Sequence, residues 1–471
     1  MKEKIIEVAD SLRDNMILST QELVRIPSVE AVAEGNYPYG KNVYLALEKA
    51  LEIAEKLGFR TKNIDNQAAK IEIGSGEETL AMLCHLDVVP EGDDWTYPPY
   101  AAEIHDNKIY GRGTIDDKGP AVAALYALKI VDLLNIDLKK RVQIILGTNE
   151  ESGMAALEYY LKHEEMPDLA FSPDASFPVI NAEKGILNLK FSADLTAAET
   201  KTGMPDLISL RGGNAANMVP DSAEAILSGL SAAELKEKLI NFDYKPEKLK
   251  LVNTTAGLKI NYQGVSAHGS TPEVGENAIS QLLNLLAEIE FKNTKLNQFL
   301  AFYRQKIGLE TDGKSIGCKD QDDIPTELTF NTGVIKIDAD KAEFIVNIRY
   351  PVKSTAAKVI NSIKQNTADN LVKVTQLSDS APLYIAEDDP FLLKLMHAYR
   401  EFTGDNAQPI AIGGGTYARN VKKGVAFGPL FPGEPELAHQ RDEYIEIDSL
   451  VKSAAIYAQA IIDIAGGSSD E

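Results

Sequence analysis

The chain has only two cysteines, Cys84 and Cys318, among 471 residues. Two thiols cannot build a disulfide framework, so the reducing cytoplasm is the expected compartment. No apolar run is long enough to cross a bilayer, which argues against a membrane-spanning segment. The first stretch, MKEKIIEVADSLRDNMILSTQELVRI, has its apolar residues broken by Asp10, Arg13 and Asp14. It predicts an amphipathic helix and not a secretory leader. Positive charge is also short: 48 Lys and Arg stand against 70 Asp and Glu, a net charge of −22. Such a surface repels phosphates and argues against a nucleic-acid partner. Its simplest role is solubility. There is no internal repeat and no low-complexity segment.

What the chain does contain is enough length for two domains. The first third alternates strand and helix signals: KIEIGSG and TLAMLCHLDVV, then AVAALYALKIVDLL, RVQIILGTNEE, GMAALEYYLKH and DLAFSPDA. That alternation predicts an α/β domain with a parallel-type sheet and helices on both faces. From about Gly185 the texture changes to strands with few helices, as in ILNLKFSADL, GLKINYQGVSA, LTFNTGVIKI and AEFIVNIRYP. Helical texture returns at DDPFLLKLMHAYREFTG. The expected organisation is a catalytic domain in two parts, residues 1–184 and 384–471, interrupted by an inserted α+β domain over 185–383. The tail GGSSDE is expected to be disordered.

Histidine is scarce, with six in the chain, and one of them closes an apolar strand. In HLDVVP, His85 and Asp87 are two apart and leave the same face of a strand. Cys84 then faces the opposite way, into the core. The pair reads either as a structural contact or as a metal-bound imidazole with a carboxylate behind it. In GRGTIDDKGP an N-cap explains one of Asp116 and Asp117 more easily than both. RVQIILGTNEE ends in Glu150 and Glu151, adjacent like charges that a solvated loop tolerates and a divalent cation compensates. FSPDAS places Asp174 after another short strand, and ELAHQRDEY carries His439. His105, His163 and His397 lie in polar contexts and receive no role. Together these strings put His, Asp, Glu, Asp and His at successive strand ends of one sheet. Imidazole and carboxylate donors in that number suit a two-metal site.

HLDVVP, GRGTIDDKG, GTNEE, SPDAS and the late His439 resemble the co-catalytic dizinc amidohydrolases. These include carboxypeptidase G, acetylornithine deacetylase, succinyl-diaminopimelate desuccinylase and the aminoacylases. ANMVPD, GVSAHGSTPE, VNIRYP, IGGGTYAR and GVAFGP look most like the PepV-type bacterial dipeptidases, the Xaa-His or β-Ala dipeptidases. The resemblance implies a zinc-peptidase-like catalytic domain with an inserted lid. It implies two Zn2+ per subunit, with Mn2+ or Co2+ as substitutes. His85, Asp116, Glu151, Asp174 and His439 would bind them, Asp116 bridging. Asp87 would orient His85, Asp117 would lie beside the site, Glu150 would be the general base, and His268 would polarise the scissile carbonyl. Asn217, Arg349, Gly414, Gly415 and Thr416 would hold the substrate, an unblocked dipeptide, with Arg349 on its C-terminal carboxylate. The alternatives are an N-acyl amino-acid deacylase or a catalytically inactive binding homologue. The insertion is longer than one small lid. The segment from Ile186 to about Leu251 is therefore expected to form a second lid subdomain in the place of a dimer partner, giving a monomer.

Overall fold

The computed structural model describes residues 1–324, 327–368 and 371–467. Ser468–Glu471, most of the tail expected to be disordered, lie outside them. Among the described residues, no helix is long and apolar enough to cross a membrane. The chain divides into two compact units. One comprises Met1–Ala182, Tyr384–Ile410 and the chain from Gly415 on; the other comprises Glu183–Leu383 and Ala411–Gly414.

The first unit is built on a mixed sheet. Strand Thr79–His85 is buried along its whole length, as expected of a strand covered on both faces. It runs parallel to Arg141–Gly147 on one side and Leu169–Ser172 on the other. Gly424–Ala426 continues the parallel set beyond Leu169–Ser172. The far edge departs from the parallel expectation: Ala68–Ile73 pairs antiparallel with Arg141–Gly147, and Arg60–Ile64 antiparallel with Ala68–Ile73. The Gly-rich stretch after Ala68–Ile73 therefore does not turn a hairpin. It crosses to Thr79–His85, with Arg141–Gly147 lying between the two strands. Because the central strands are parallel, their carboxyl ends share one edge, where ligands of open α/β sheets gather.

Two helices, Lys118–Leu133 and Ile447–Ala465, are apolar nearly all round and buried almost throughout. Helices of that kind belong in a core, and they share one hydrophobic cluster with Leu80, Met82 and Cys84. Cys84 therefore faces away from His85. The N-terminal segment is two helices, Lys2–Ser11 and Arg13–Val24, meeting at Leu12.

The second unit carries an eight-stranded antiparallel sheet. Its order is Leu249–Thr254, Gly257–Gln263, Ser222–Ser228, Asp206–Gly212, Thr329–Ile337, Lys341–Tyr350, Gly185–Asp194 and Lys373–Ser380. Burial along Gly185–Asp194 alternates residue by residue, the mark of a sheet covered on one face. Leu187, Leu189 and Phe191 pack with Leu282, Phe299 and Phe344 in one core. The strands within 186–251 do not form a separate sheet. Asp206–Gly212 pairs with Thr329–Ile337 through Leu210, Arg211 and Gly212, making the sheet continuous.

In this unit Glu276 staples the base of the loop that carries His268. Its main chain pairs with Val265, and its carboxylate accepts from Lys245, Lys248 (2.8 Å) and Tyr262 (3.0 Å). Burial works to raise the Glu276 pKa, but these donors pull it from 4.5 down to about 2. A carboxylate depressed in the fold stabilises fully above its unfolded value and loses that contribution as pH falls through the folded one. The staple is thus expected to weaken between about pH 4.5 and 2. Glu276→Gln should lower the melting temperature at neutral pH and flatten the wild-type decline over that acid range. An unchanged acid limb in the variant would contradict this.

Candidate metal centre

The site grows from the carboxyl ends of the parallel strands. His85 closes Thr79–His85, and its side chain is 1% exposed. Its amide donates to Asp117 Oδ2 at 3.0 Å. Asp117 occupies the N-cap position of Lys118–Leu133, yet its side chain makes no capping bond to that helix. It secures the histidine's backbone instead. The His85 ring is held by the main chain: Nδ1 lies 2.9 Å from the Asp87 carbonyl oxygen. The Asp87 carboxylate stands farther off, 3.6 Å from that nitrogen. It accepts the amides of Glu150 (3.0 Å) and Glu151 (3.1 Å). Asp87 thus ties the end of one strand to the turn after its neighbour.

That turn follows Arg141–Gly147, whose Gly147 is level with His85. Its backbone is fixed on the other side by buried Asn149, which donates to Glu30 (2.8 Å) and Ser152 (2.6 Å) and accepts from the Ala155 amide (2.9 Å). Gly147 is required for packing. A Cβ there would stand 2.2 Å from the Tyr417 hydroxyl, whose ring meets His85 edge-on at 6.3 Å.

Five of the side chains singled out in the sequence meet here in two triads. His85 Nε2 lies 2.9 Å from Asp116 Oδ1 and 3.8 Å from Asp174 Oδ2. His439 Nε2 lies 3.0 Å from Asp116 Oδ2 and 3.0 Å from Glu151 Oε2. Asp116 belongs to both, one oxygen toward each imidazole. In each triad the donor atoms lie within 4.8 Å of one another. His439 sits in the left-handed region at φ 64°, a conformation that persists at functional sites only where the surroundings impose it.

The donor chemistry fits a cation. A carbonyl oxygen can only accept, so the Asp87 carbonyl places a proton on His85 Nδ1. The opposite nitrogen then faces two carboxylates. Only a second proton or a metal ion makes that arrangement favourable. Protonation behaviour shows the same crowding. Burial would lower the His85 pKa, but Asp116 and Asp87 outweigh it and hold it well above the ordinary value. Hydrogen bonds to Asp116 and Glu151 raise His439 to about 10. Against burial, the two imidazoles keep the Asp116 carboxyl well below its usual range. Burial pushes Glu150 up to about 8, with Glu151 and Asp116 adding to it and His85 opposing. One imidazole and two carboxylates per triad suit zinc, and also manganese or cobalt.

In the inserted unit, Asn217 lies exposed in a turn whose carbonyl accepts the Gly269 amide at 2.7 Å. Met218 pairs with His268, so Asn217 and His268 lie on adjoining segments. His268 is exposed, with Nδ1 2.6 Å from Ser270 Oγ. Arg349 is buried at the end of Lys341–Tyr350; Nε donates to Asn347 (2.8 Å) and Nη1 to the Gly413 carbonyl (2.9 Å). Gly414 and Gly415 are half-buried beside it in sequence, and Thr416 caps the short turn Tyr417–Asn420 by accepting the Ala418 amide. Sequence reasoning gave no role to Arg112, Asn149, Tyr417 or Glu443. Arg112 stood in the quoted GRGTIDD string, and Glu443 four residues after His439. Their spacing carried no signal because their partners are distant in the chain.

The chain is 43% identical over 462 residues to the Bacillus subtilis protein named "Putative dipeptidase YtjP", covering 96% of this chain and 98% of that one. The fold is shared with human carnosine dipeptidase 1, at a TM-score of 0.58 and 16% identity over 98% of both chains. It is shared also with aminoacylhistidine dipeptidase from Vibrio alginolyticus, at a TM-score of 0.54 and 15% identity over 96% of both. The profile of peptidase family M20/M25/M40 matches residues 81–463, from the strand bearing His85 to the last helix, and the chain belongs to that family.

Proposed function

We propose that the protein is a dipeptidase that works with two divalent metal ions, zinc first and manganese or cobalt as substitutes. The observation that carries this is the pair of His–carboxylate triads sharing Asp116, with Glu150 on the turn that supplies Glu151. The dipeptidase names borne by the relatives support the substrate class. When bound, the metal pair supplies an acidified water and a Lewis-acid pull on the scissile carbonyl. Glu150, as general base, would take the proton of the attacking water and pass it to the leaving amine. His268, its ring steadied by Ser270, donates to the developing oxyanion. Arg349 grips the C-terminal carboxylate bidentately, assisted by Asn217 and by the backbone of Gly414, Gly415 and Thr416. The chain would act as a monomer.

The test is a panel of unblocked dipeptides against N-acetyl and N-succinyl amino acids, with each metal added back to the apoprotein. Cleavage of free dipeptides alone supports the proposal; preference for the acylated compounds would make the protein a deacylase. Sedimentation at assay concentration, with specific activity independent of dilution, tests the monomer. For the anchor, Arg349→Lys should raise KM, since lysine offers a point charge where the guanidinium offers a fork. A lost charge-assisted contact of this kind costs about 1.5–3 kcal/mol. Equal rates on free and C-terminally amidated dipeptides would refute the role.

A further inference from the structure

The structure holds a buried ion pair beside the metal centre that no step above uses. Arg112 and Glu443 are 2% and 0% exposed and meet through Nη1 and Oε2 at 2.6 Å. The other Glu443 oxygen accepts the amides of Ile115 (3.0 Å) and Asp116 (3.4 Å). Its backbone carbonyl accepts the Gly111 amide at 2.8 Å. Arg112 reaches back to the Gln440 carbonyl, next to His439, at 3.2 Å. It also approaches the carbonyls of Pro90 and Glu91, and Trp95 lies 5.3 Å beneath it.

These contacts join two loops. One carries Asp116 and the other carries His439, two of the three ligands proposed for the second metal. His85 is secured independently, by Asp117 and the Asp87 carbonyl. Asp174 is secured by its own strand connection, where the Ala175 amide bonds the Gly428 carbonyl. Both triads share Asp116, but only the Asp116–Glu151–His439 triad takes a second ligand, His439, from the loops that Glu443 and Arg112 join, so the burden of Glu443 falls more heavily on it. A buried ion pair is a costly device for stability alone, because apolar side chains of similar volume commonly serve as well. Fixing one ligand loop against another is a task that packing alone meets poorly, and partners behind metal ligands typically set affinity by about 10–100-fold.

We infer that Glu443 is a positioning residue. It sets the bridging carboxylate of Asp116 against His439, and its loss weakens the Asp116–Glu151–His439 metal selectively. The inference rests on the ligand assignment proposed above. The experiment titrates the full-length apoprotein with Co2+, followed by its visible spectrum, and with Zn2+ by calorimetry. Glu443→Gln should bind the first metal within about threefold of wild type and the second at least about tenfold more weakly. Glu443→Asp keeps the charge for Arg112 but withdraws it from the amides; it should give the same split, and it replaces the glutamine variant if that one does not fold. Ile461→Ala, a cavity in the buried last helix, serves as the purely destabilised control and should leave both affinities unchanged. Wild-type binding of both metals in the Glu443 variants, or equal weakening of both, would overturn the inference. Glu151→Gln separates the two ideas: if it keeps the second metal in place, the ligand assignment itself fails and the inference falls with it.

Discussion

Glu150→Gln is expected to lower kcat by about three orders of magnitude while both metal ions stay bound, within the range for loss of a general base. The substitution keeps the shape of the side chain. It also keeps the turn, because Asp87 and Asn149 hold that turn through backbone groups and neighbours other than the Glu150 carboxylate. What it removes is a proton acceptor in a half-buried, strongly acidic setting. Glu151→Gln is the contrasting case, since Glu151 contacts His439 directly. It should lose metal first and activity as a consequence. Metal content measured on both purified variants, beside their kcat, decides. Equal metal loss in the two would refute the division of labour between adjacent glutamates.

Asp116→Asn should have a still larger effect. Asp116 is the one residue common to both triads, and its two oxygens face different imidazoles at 2.9 and 3.0 Å. An amide presents one oxygen and carries no charge, so it cannot serve both positions. The variant should bind neither metal at concentrations that load wild type with two. Its rate should fall below that of Glu150→Gln, because the Lewis-acid contribution goes together with the acidified water. Circular dichroism should show a folded protein, since the Asp116 backbone is held by Glu443 and not by its own side chain. Retention of one tightly bound metal would show that the carboxylate is not shared.

Much of the first unit is legible in the sequence. Continuous β-branched or apolar strings such as TLAMLCH and VQIILG read as buried strands and are buried strands, and the uniformly apolar pattern of Lys118–Leu133 reads as a core helix and is one. Strand polarity was less legible. The antiparallel edge of the sheet follows from which neighbour Ala68–Ile73 finds in space, and strand pattern does not encode that choice. The same reason explains the inserted unit. Its strands were recognisable by alternation, but their joining into one eight-stranded sheet depends on the short Leu210–Gly212 pairing with Thr329–Ile337.

For the site, the sequence by itself determined which residue types follow the strand ends: His85 and Asp87, Glu150 and Glu151, and Asp174. It placed Asp116, Asp117 and His439 at strand ends too, but the first two lie at the start of helix Lys118–Leu133 and His439 lies in a turn, because a ligand needs only to reach the site and not to close a strand. Charged groups closing apolar strands are conspicuous because burial is costly without compensation. Their partnerships were decided by tertiary structure alone. Asp87 faced His85 on strand geometry, yet its carboxylate turned to the amides of Glu150 and Glu151 and left the ring to its carbonyl. Asp117 suggested a helix cap and became the support of the His85 backbone. Arg112 and Glu443, 331 positions apart, carried no mark of each other in the chain. A hydrogen bond is satisfied by whichever group the fold brings within about 3 Å, so residue chemistry is local to the sequence and partner choice is not.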